Sequence, residues 1–479
     1  MTVMNNQRKP KKKRLRGIIL LEICVLLLLF GGYYVISNYN KDNRKKTEEA
    51  DNGGEDTEDT ETVDKKDPKD NLTPEQREAQ EEQERLEKEN ADRQDLIEQA
   101  KRLTLSYDYD GAIEMIKSYQ GKEGGYQVYP IMTQAIAGIE AEKASLVLYG
   151  GSYESVTQFN HIFFHSLIAD NSLAFDGDYD SVGYNMYMTT IPEFNSMIQQ
   201  MYEDGYVLIS IHDIAKKVTN ADGTTEYVAQ EIYLPQGKKP FVLSQDDVNY
   251  YDYMTGDGFA TRMVIGEDGK VTCEMQLADG TITYGAFDMV PIIDAFVEEH
   301  PDFSYRGAKG IIALTGYEGT LGYRTNDPTS PTYEADKAAA KAVAEAMKAN
   351  GWEFASHTWG HKNMQTRTFE QVKTDALRWK EEVEPLIGPT DILIFPYGVD
   401  IETTMGNYSS DKYKFLKELG FDFYCGVDKG PWMHLKKDYI RMTRRPLDGQ
   451  AMLQFPERLA DLFDLEKTID PERPPRDWE

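Results

Sequence analysis

The chain has 479 residues, is 40% hydrophobic and carries a formal net charge of −29 at pH 7. This length and apolar content support one large domain with appendages and exclude a wholly disordered chain. The acidic balance excludes a binder of nucleic-acid phosphates, which needs a basic face.

Residues 1–16 form a basic tail carrying Arg8, Lys9, Lys11, Lys12, Lys13, Arg14 and Arg16. Residues 17–37 are apolar apart from Glu22, and a run of ~20 such residues spans a bilayer core. No small-residue cleavage site follows, so the run reads as an uncleaved signal anchor. Four basic residues follow the span (Lys41, Arg44, Lys45 and Lys46) against seven before it. The positive-inside rule then puts the tail in the cytoplasm and the rest of this cell-membrane protein outside.

Residues 38–72 read as an acidic, disordered linker: from 48 to 70 there are eleven acidic residues against three basic ones, too little apolar surface to offset ordering. Residues 73–146 read as a helical spacer. Thr73, Pro74 and Gln76 form a helix start, followed by Leu96, Ile97, Ala100 and Leu103. Further helices are expected around Ala112, Ile113 and Ile116 and over 131–144. The segment looks weakly tetratricopeptide-like, but one hairpin is too few for a solenoid.

From residue 147 strands alternate with helices. Strands are expected at HIFFHSLI (161–168), YVLISIHDI (206–214), FVLS (241–244), KGIIALTG (309–316), WEFASH (352–357), DILIFPYG (391–398), FDFYCGVD (421–428) and YIRMTRRPLDG (439–449). Helices lie between them, one starting at a Thr368–Gln371 capping box. The alternation points to a parallel α/β barrel or a doubly wound sheet. At about 255–288 turn signals between alternating segments indicate an inserted antiparallel meander. Of Cys24, Cys273 and Cys425, the last two read as buried free thiols, since the spacing suits neither a zinc knuckle nor a disulfide framework.

The chemistry-bearing residues sit at strand ends. Asp246 and Asp247 follow FVLSQ; His357 and His361 lie in SHTWGH. Two imidazoles and two carboxylates are enough for a three-ligand hydrolytic metal site with a base to spare. Neither pair is specific alone. His161 and His165, on one strand, would lie ~13 Å apart, too far for one metal; they read as structural, with His165 near enough to the strand end to face the site. His357 and His361 are expected in a loop-to-helix turn, where i,i+4 side chains come within ~6 Å. SQDD, SHTWGH, FPYG and CGVD all fall at C-terminal strand ends, where α/β barrels build their sites. Pro396-Tyr397-Gly398 is either an ordinary turn or a kink aiming an N–H at an oxyanion.

From about residue 159 to 447 these motifs resemble the polysaccharide deacetylases of the NodB-homology type. Ser244-Gln245-Asp246-Asp247 is similar to the first motif, His357-Thr358-Trp359-Gly360-His361 matches the second in full, and Phe395-Pro396-Tyr397-Gly398 looks like the third in the branch acting on poly-N-acetylglucosamine. The resemblance implies a distorted parallel (β/α)7-type barrel over 147–479. It implies Asp246 as base, Asp247, His357 and His361 as ligands of a divalent metal (zinc, with cobalt or nickel tolerated), and the Tyr397 N–H in an oxyanion hole. Asp428 and Trp432 loosely match the fourth motif and, with Phe395 and Pro396, are expected at the substrate pocket. Phe395 departs from the arginine that orients the base in many members. The last strand lacks the Leu-x-His motif of the general acid; His434 is taken as its substitute, ahead of Asp448 and His165.

The implied activity is metal-dependent removal of N-acetyl groups from an extracellular amino-sugar polymer, poly-N-acetylglucosamine or peptidoglycan. An O-acetyl esterase on the same site is one rival. A catalytically decayed carbohydrate-binding scaffold is the other, weakened by the presence of all three ligands and the base.

Overall fold

Short apolar strands alternating with amphipathic helices close here into a ring. In the computed structural model the strands are β1 (Asn160–Phe164), β2 (Lys239–Gln245), β3 (Ile311–Leu314), β4 (Glu353–Ser356), β5 (Ile392–Ile394), β6 (Phe423–Val427) and β7 (Ile440–Pro446). Each pairs in parallel with the next, and β7 pairs with β1, giving a closed seven-stranded barrel in chain order. The structure describes residues 73–150, 158–404, 407–476 and 478. The expected basic tail, membrane span and acidic linker lie outside the described residues, among which no helix is long and apolar enough to cross a membrane.

Side chains alternate across each strand with period two. One parity, including Val242, Ala313, Ala355, Ile394, Cys425 and Met442, clusters inside the barrel, where side chains fill the ring. The other, including Leu243, Leu314, Phe354, Leu393 and Tyr424, faces outward and packs with Met197, Ile293, Val343, Trp379 and Leu416 of the surrounding helices. These helices start where the sequence supplies caps. Thr190 with Glu193, and Thr368 with Gln371, form full capping boxes.

The expected strand 206–214 is real only over Tyr206–Leu208, which pairs with the start of β2. Ser210 and Asp213 then form a capping box that turns Ile211–Asp213 into a 3₁₀ turn. No helix links β6 to β7; the short strand Met433–Leu435 lies antiparallel on β7 instead. The meander is present as Ala260–Ile265, Val271–Gln276 and Ile282–Gly285. Val147–Gly150 pairs with Glu231–Leu234 outside the barrel, and Ala215–Thr219 with Thr225–Ala229; neither pairing was legible as a unit in the sequence. Cys273 and Cys425 are buried and free.

The chain divides into two compact units, 1–81 and 82–479. Of the first, residues 73–81 are described, a helix start in which Thr73 and Gln76 cap each other at 3.0 and 3.2 Å. In the second, helices Tyr109–Lys117 and Pro130–Ala144 are joined through the two-residue strands Gln120–Gly121 and Gly124–Gly125, not by the tight hairpin of a tetratricopeptide unit. Their apolar faces share a cluster with Tyr305, ahead of β3, and the Tyr107 hydroxyl donates to the Asp302 carbonyl at 2.7 Å. They thus cover the end of the barrel opposite the strand C-termini.

That same end carries an ionic bridge. His212 Nδ1 faces the Glu353 carboxylate at the start of β4, and Nε2 meets Asp391 Oδ1 at 2.9 Å ahead of β5. Both nitrogens donate, so the ring is an imidazolium. Burial opposes that charge, but Asp391 and Glu353 push His212 up to about 10. A raised folded value gives stability that is complete below the unfolded value of ~6.5 and is lost as pH rises through the folded one. The unfolding temperature should therefore fall more steeply between pH 7 and 10.5 in the native protein than in His212→Gln, read by circular dichroism. Parallel curves would remove the bridge from the stability account.

Candidate metal centre and active site

Parallel strands deliver their C-terminal ends to one rim. Here β2 ends at Asp246 and Asp247, β4 at His357, β5 at Pro396-Tyr397-Gly398, and β7 carries Arg444 near its end. Asp247, Thr358, His361 and Tyr397 all have φ between 46° and 60°. In non-glycine residues this left-handed backbone costs about 1–3 kcal/mol each and marks functional loops. It also corrects the expected helical turn. His357 and His361 meet, ring centroids 4.9 Å apart, because the chain kinks at Thr358 and His361, with no helix between them.

Asp247, His357 and His361 offer ligand atoms all within 4.8 Å of one another. His357 is buried, and its Nδ1–H donates to the Ile394 carbonyl at 2.9 Å, which fixes the tautomer and leaves the Nε2 lone pair for a metal. Burial pushes His361 below the ordinary imidazole value despite the raising influence of Asp247, and the neutral ring is the ligating form. Asp247 Oδ1 accepts from the Tyr251 hydroxyl at 2.6 Å, and that hydroxyl also meets Thr315 Oγ1 at 3.1 Å. His361 Nε2 lies 3.8 Å from Asp247 Oδ2. Ligand atoms on a tetrahedral ion at ~2.0–2.1 Å stand ~3.3 Å apart, so a small inward rotation suffices. Two imidazoles and one carboxylate fit a divalent ion.

Asp246 is buried beside this cluster, its Oδ2 3.9 Å from His357 Nε2. Arg444 grips it with a guanidinium fork, Nη1 to Oδ1 at 2.6 Å and Nη2 to Oδ2 at 2.9 Å. Burial pushes the carboxyl up, but Arg444 and His357 outweigh it and hold Asp246 well below the usual carboxylate range. Beneath the fork, Arg444 Nη1 also donates to Ser244 Oγ at 3.3 Å, which sits 2.9 Å from His161 Nε2. Sequence reasoning missed Arg444. The signal was its strand parity: in IRMTRRP, Arg444 shares a face with Ile440 and Met442, an arginine pointing into the barrel.

Phe395, read as a pocket residue in place of that arginine, faces the opposite side. It is fully buried between sheet and helices, its ring 6.1 Å from Tyr424, and Pro396 is buried as well; both leave the pocket lining. His434 is also misplaced by the sequence reading. It sits in the strand Met433–Leu435 opposite Arg441, and directly opposed residues share a face. Arg441 lies outside the barrel, over the Phe395 ring at 5.5 Å, so the exposed His434 faces outward too, against Trp432 at 4.9 Å. Trp432 Nε1 donates to Asp428 at 2.7 Å, so that pair is turned on itself. Asp428 lines a cavity of about 230 Å³ with Asp448 and Arg445, whereas His361 borders a different groove.

His165, just past β1, is the histidine that the structure brings to this rim. Its field reaches Asp246, His361 and Asp448, and its Nδ1–H donates to the Tyr187 carbonyl at 3.1 Å. Asp448 caps the helix Gly449–Gln454 through Ala451 N at 2.7 Å; burial pushes its carboxyl up to about 6. The Tyr397 ring lies 4.5 Å from the His361 ring, tilted at 59° to it. Both border a groove of about 900 Å³ lined also by Tyr317, Trp359, Lys362 and Arg378.

The hydroxyl of Tyr251 aims the Asp247 carboxylate, and such outer partners are typically worth 10- to 100-fold in metal affinity. Tyr251→Phe should weaken zinc binding by roughly that factor in competition with a chromophoric chelator. Undiminished affinity would show that the carboxylate is held without it.

Residues 324–424 match the family model of polysaccharide deacetylase, a stretch that carries both histidines and the Pro-Tyr-Gly turn. Among solved structures, the Streptococcus pyogenes deacetylase PplD in complex with acetate is similar at 13% identity and a TM-score of 0.36, covering 64% of this chain and 98% of that one. A de-N-acetylase from Aggregatibacter actinomycetemcomitans is similar at 14% identity and a TM-score of 0.37, covering 64% of this chain and 99% of that one. No curated protein matches the sequence. The segment that is similar to polysaccharide deacetylase, residues 324–424, is set in a closed seven-stranded parallel barrel.

Proposed function

We propose that the protein removes N-acetyl groups from an amino-sugar polymer, poly-N-acetylglucosamine or peptidoglycan, with a divalent metal, zinc foremost, held by Asp247, His357 and His361. The observation that carries this reading is the convergence of those three ligand atoms within 4.8 Å, next to a buried carboxylate they do not need. When bound, the ion would supply Lewis acidity to the acetyl carbonyl and to water. Asp246 takes the proton from the attacking water. Arg444 keeps that carboxylate ionised and aimed, because its fork fills one edge of the group. The Tyr397 N–H, early in a short 3₁₀ turn and so without an intrahelical acceptor, faces the oxyanion. His165 delivers a proton to the departing amine through Nε2, since Nδ1–H is engaged by Tyr187.

An acetate-release assay on N-acetylglucosamine oligomers tests these roles together. Activity should vanish with a chelator and return with zinc. Asp246→Asn should keep its metal and lose about 10²- to 10⁴-fold in rate. His165→Ala should slow N-acetyl hydrolysis by a similar factor yet spare an aryl acetate, whose phenolate leaves without an acid. Equal losses on both substrates would strip His165 of the acid role.

We also propose that residues 17–37 anchor the chain in the cell membrane with the enzyme outside. The support is the apolar run between seven and four basic residues. Protease added to intact cells should release the enzyme by cutting within 48–70, a polar segment with little to pack. Protection until the cells are lysed would contradict it.

A further inference from the structure

A stack of tyrosine rings starts at the proposed metal ligand and runs out to solvent. Tyr251, whose hydroxyl holds Asp247 at 2.6 Å, is buried with its ring nearly parallel to two others. Tyr317 lies 5.1 Å from it at 21°, and Tyr253 lies 6.0 Å from it at 15°. Tyr317 also lines the 900 Å³ groove that borders His361 and Tyr397. Tyr253 is 53% exposed, although its neighbours Tyr251 and Met254 are buried.

The exposed ring stands on a fixed turn. Tyr253 belongs to the 3₁₀ turn Asp252–Met254. The Asp252 N–H donates to the Glu318 carboxylate at 3.0 Å, and the Asp252 carboxylate pairs with Arg324 at 2.5 Å. Arg324 in turn donates to the Tyr250 carbonyl at 2.7 Å. A flat aromatic face that is held rigid beside a catalytic rim and left open to water is a pre-organised apolar platform. The ligand chemistry that fits it is a pyranose, whose C–H face stacks on an aromatic ring while its hydroxyls stay solvated.

We propose that Tyr253, backed by Tyr251 and Tyr317, is a subsite for the sugar unit adjoining the one whose N-acetyl group is cleaved. The enzyme then reads at least two linked sugars, and its preference for oligomers is set by this stack. The inference rests on the deacetylase reading of the Asp247 cluster. It adds where the chain of the polymer runs and which residue makes length matter.

The test compares acetate release from the N-acetylglucosamine monomer and tetramer with the full-length protein. The native ratio of kcat/KM, tetramer over monomer, should be about three- to tenfold, as one aromatic stacking contact provides. Tyr253→Ala should collapse that ratio through KM, and Tyr253→Trp should restore it. A native ratio near one, or a ratio that survives Tyr253→Ala, overturns the subsite. Calorimetric titration of tetramer into Asp246→Asn protein, with and without Tyr253→Ala, separates the two readings. Tyr253-dependent binding without acetate release from any amino sugar by the native protein would end the deacetylase reading and keep the subsite. Acetate release with binding indifferent to Tyr253 would do the reverse.

Discussion

The Arg444–Asp246 fork joins the closure of the barrel to its chemistry. β7 and β2 are not neighbours; β1 lies between them, and β7 touches β1 through only two register pairs, Arg445 with Ile162 and Pro446 with Phe163. Inside the barrel, Arg444 reaches past β1 to Asp246 on β2, with both side chains almost wholly buried. Removing one member of such a pair strands the other charge and costs about 3–5 kcal/mol. The mouth of the barrel is therefore held shut by the carboxylate proposed as the base. A base paired this way stays ionised and cannot swing into the first coordination sphere. That separation is what the proposed roles require, Asp247 as ligand and Asp246 as base, though the two are adjacent in sequence.

Adjacent residues normally point to opposite faces of a strand. Asp246 points inward at the end of β2, and Asp247 would point away if the strand continued. The left-handed turn at Asp247 breaks that alternation and returns its carboxylate to the same rim. The same device recurs at Thr358, His361 and Tyr397. Four left-handed residues thus sit in the loops that form the site, while β2 to β6 beneath them keep regular parallel pairing. Hydrogen bonds that over-determine the loops sustain that left-handed backbone. Asp375 accepts from Trp359 N at 2.7 Å and Gly360 N at 2.9 Å, and His357 is tied to β5 through Ile394.

Most of the barrel was legible because its strands are apolar runs separated by capped helices, and the capping signal at Thr368 and Gln371 survives in the structure. The barrel and the doubly wound sheet were equal from pattern alone, since the choice depends on whether β7 pairs with β1, nearly three hundred residues apart. The His357–His361 spacing was visible, but its cause was misread as helical because positive φ at non-glycine residues leaves no sequence mark. Arg444 went unseen because a motif elsewhere had reserved its role for position 395. Parity along β7 carried the information: the alternation that buries Met442 inward carries Arg444 inward too, and places Arg441 outside with His434. The exposed Tyr253 could not be told from any loop tyrosine until its ring was seen parallel to Tyr251.

Anomalous diffraction at the zinc edge, from crystals grown with one equivalent of zinc, tests the central assignment most directly. The account predicts one strong peak ~2.0–2.2 Å from ligand atoms of Asp247, His357 and His361, with Asp246 still in the grip of Arg444 and outside the coordination sphere. A peak ligated by Asp246, or one seated instead at the separate carboxylate cluster of Asp178, Asp180 and Asp257, would contradict it.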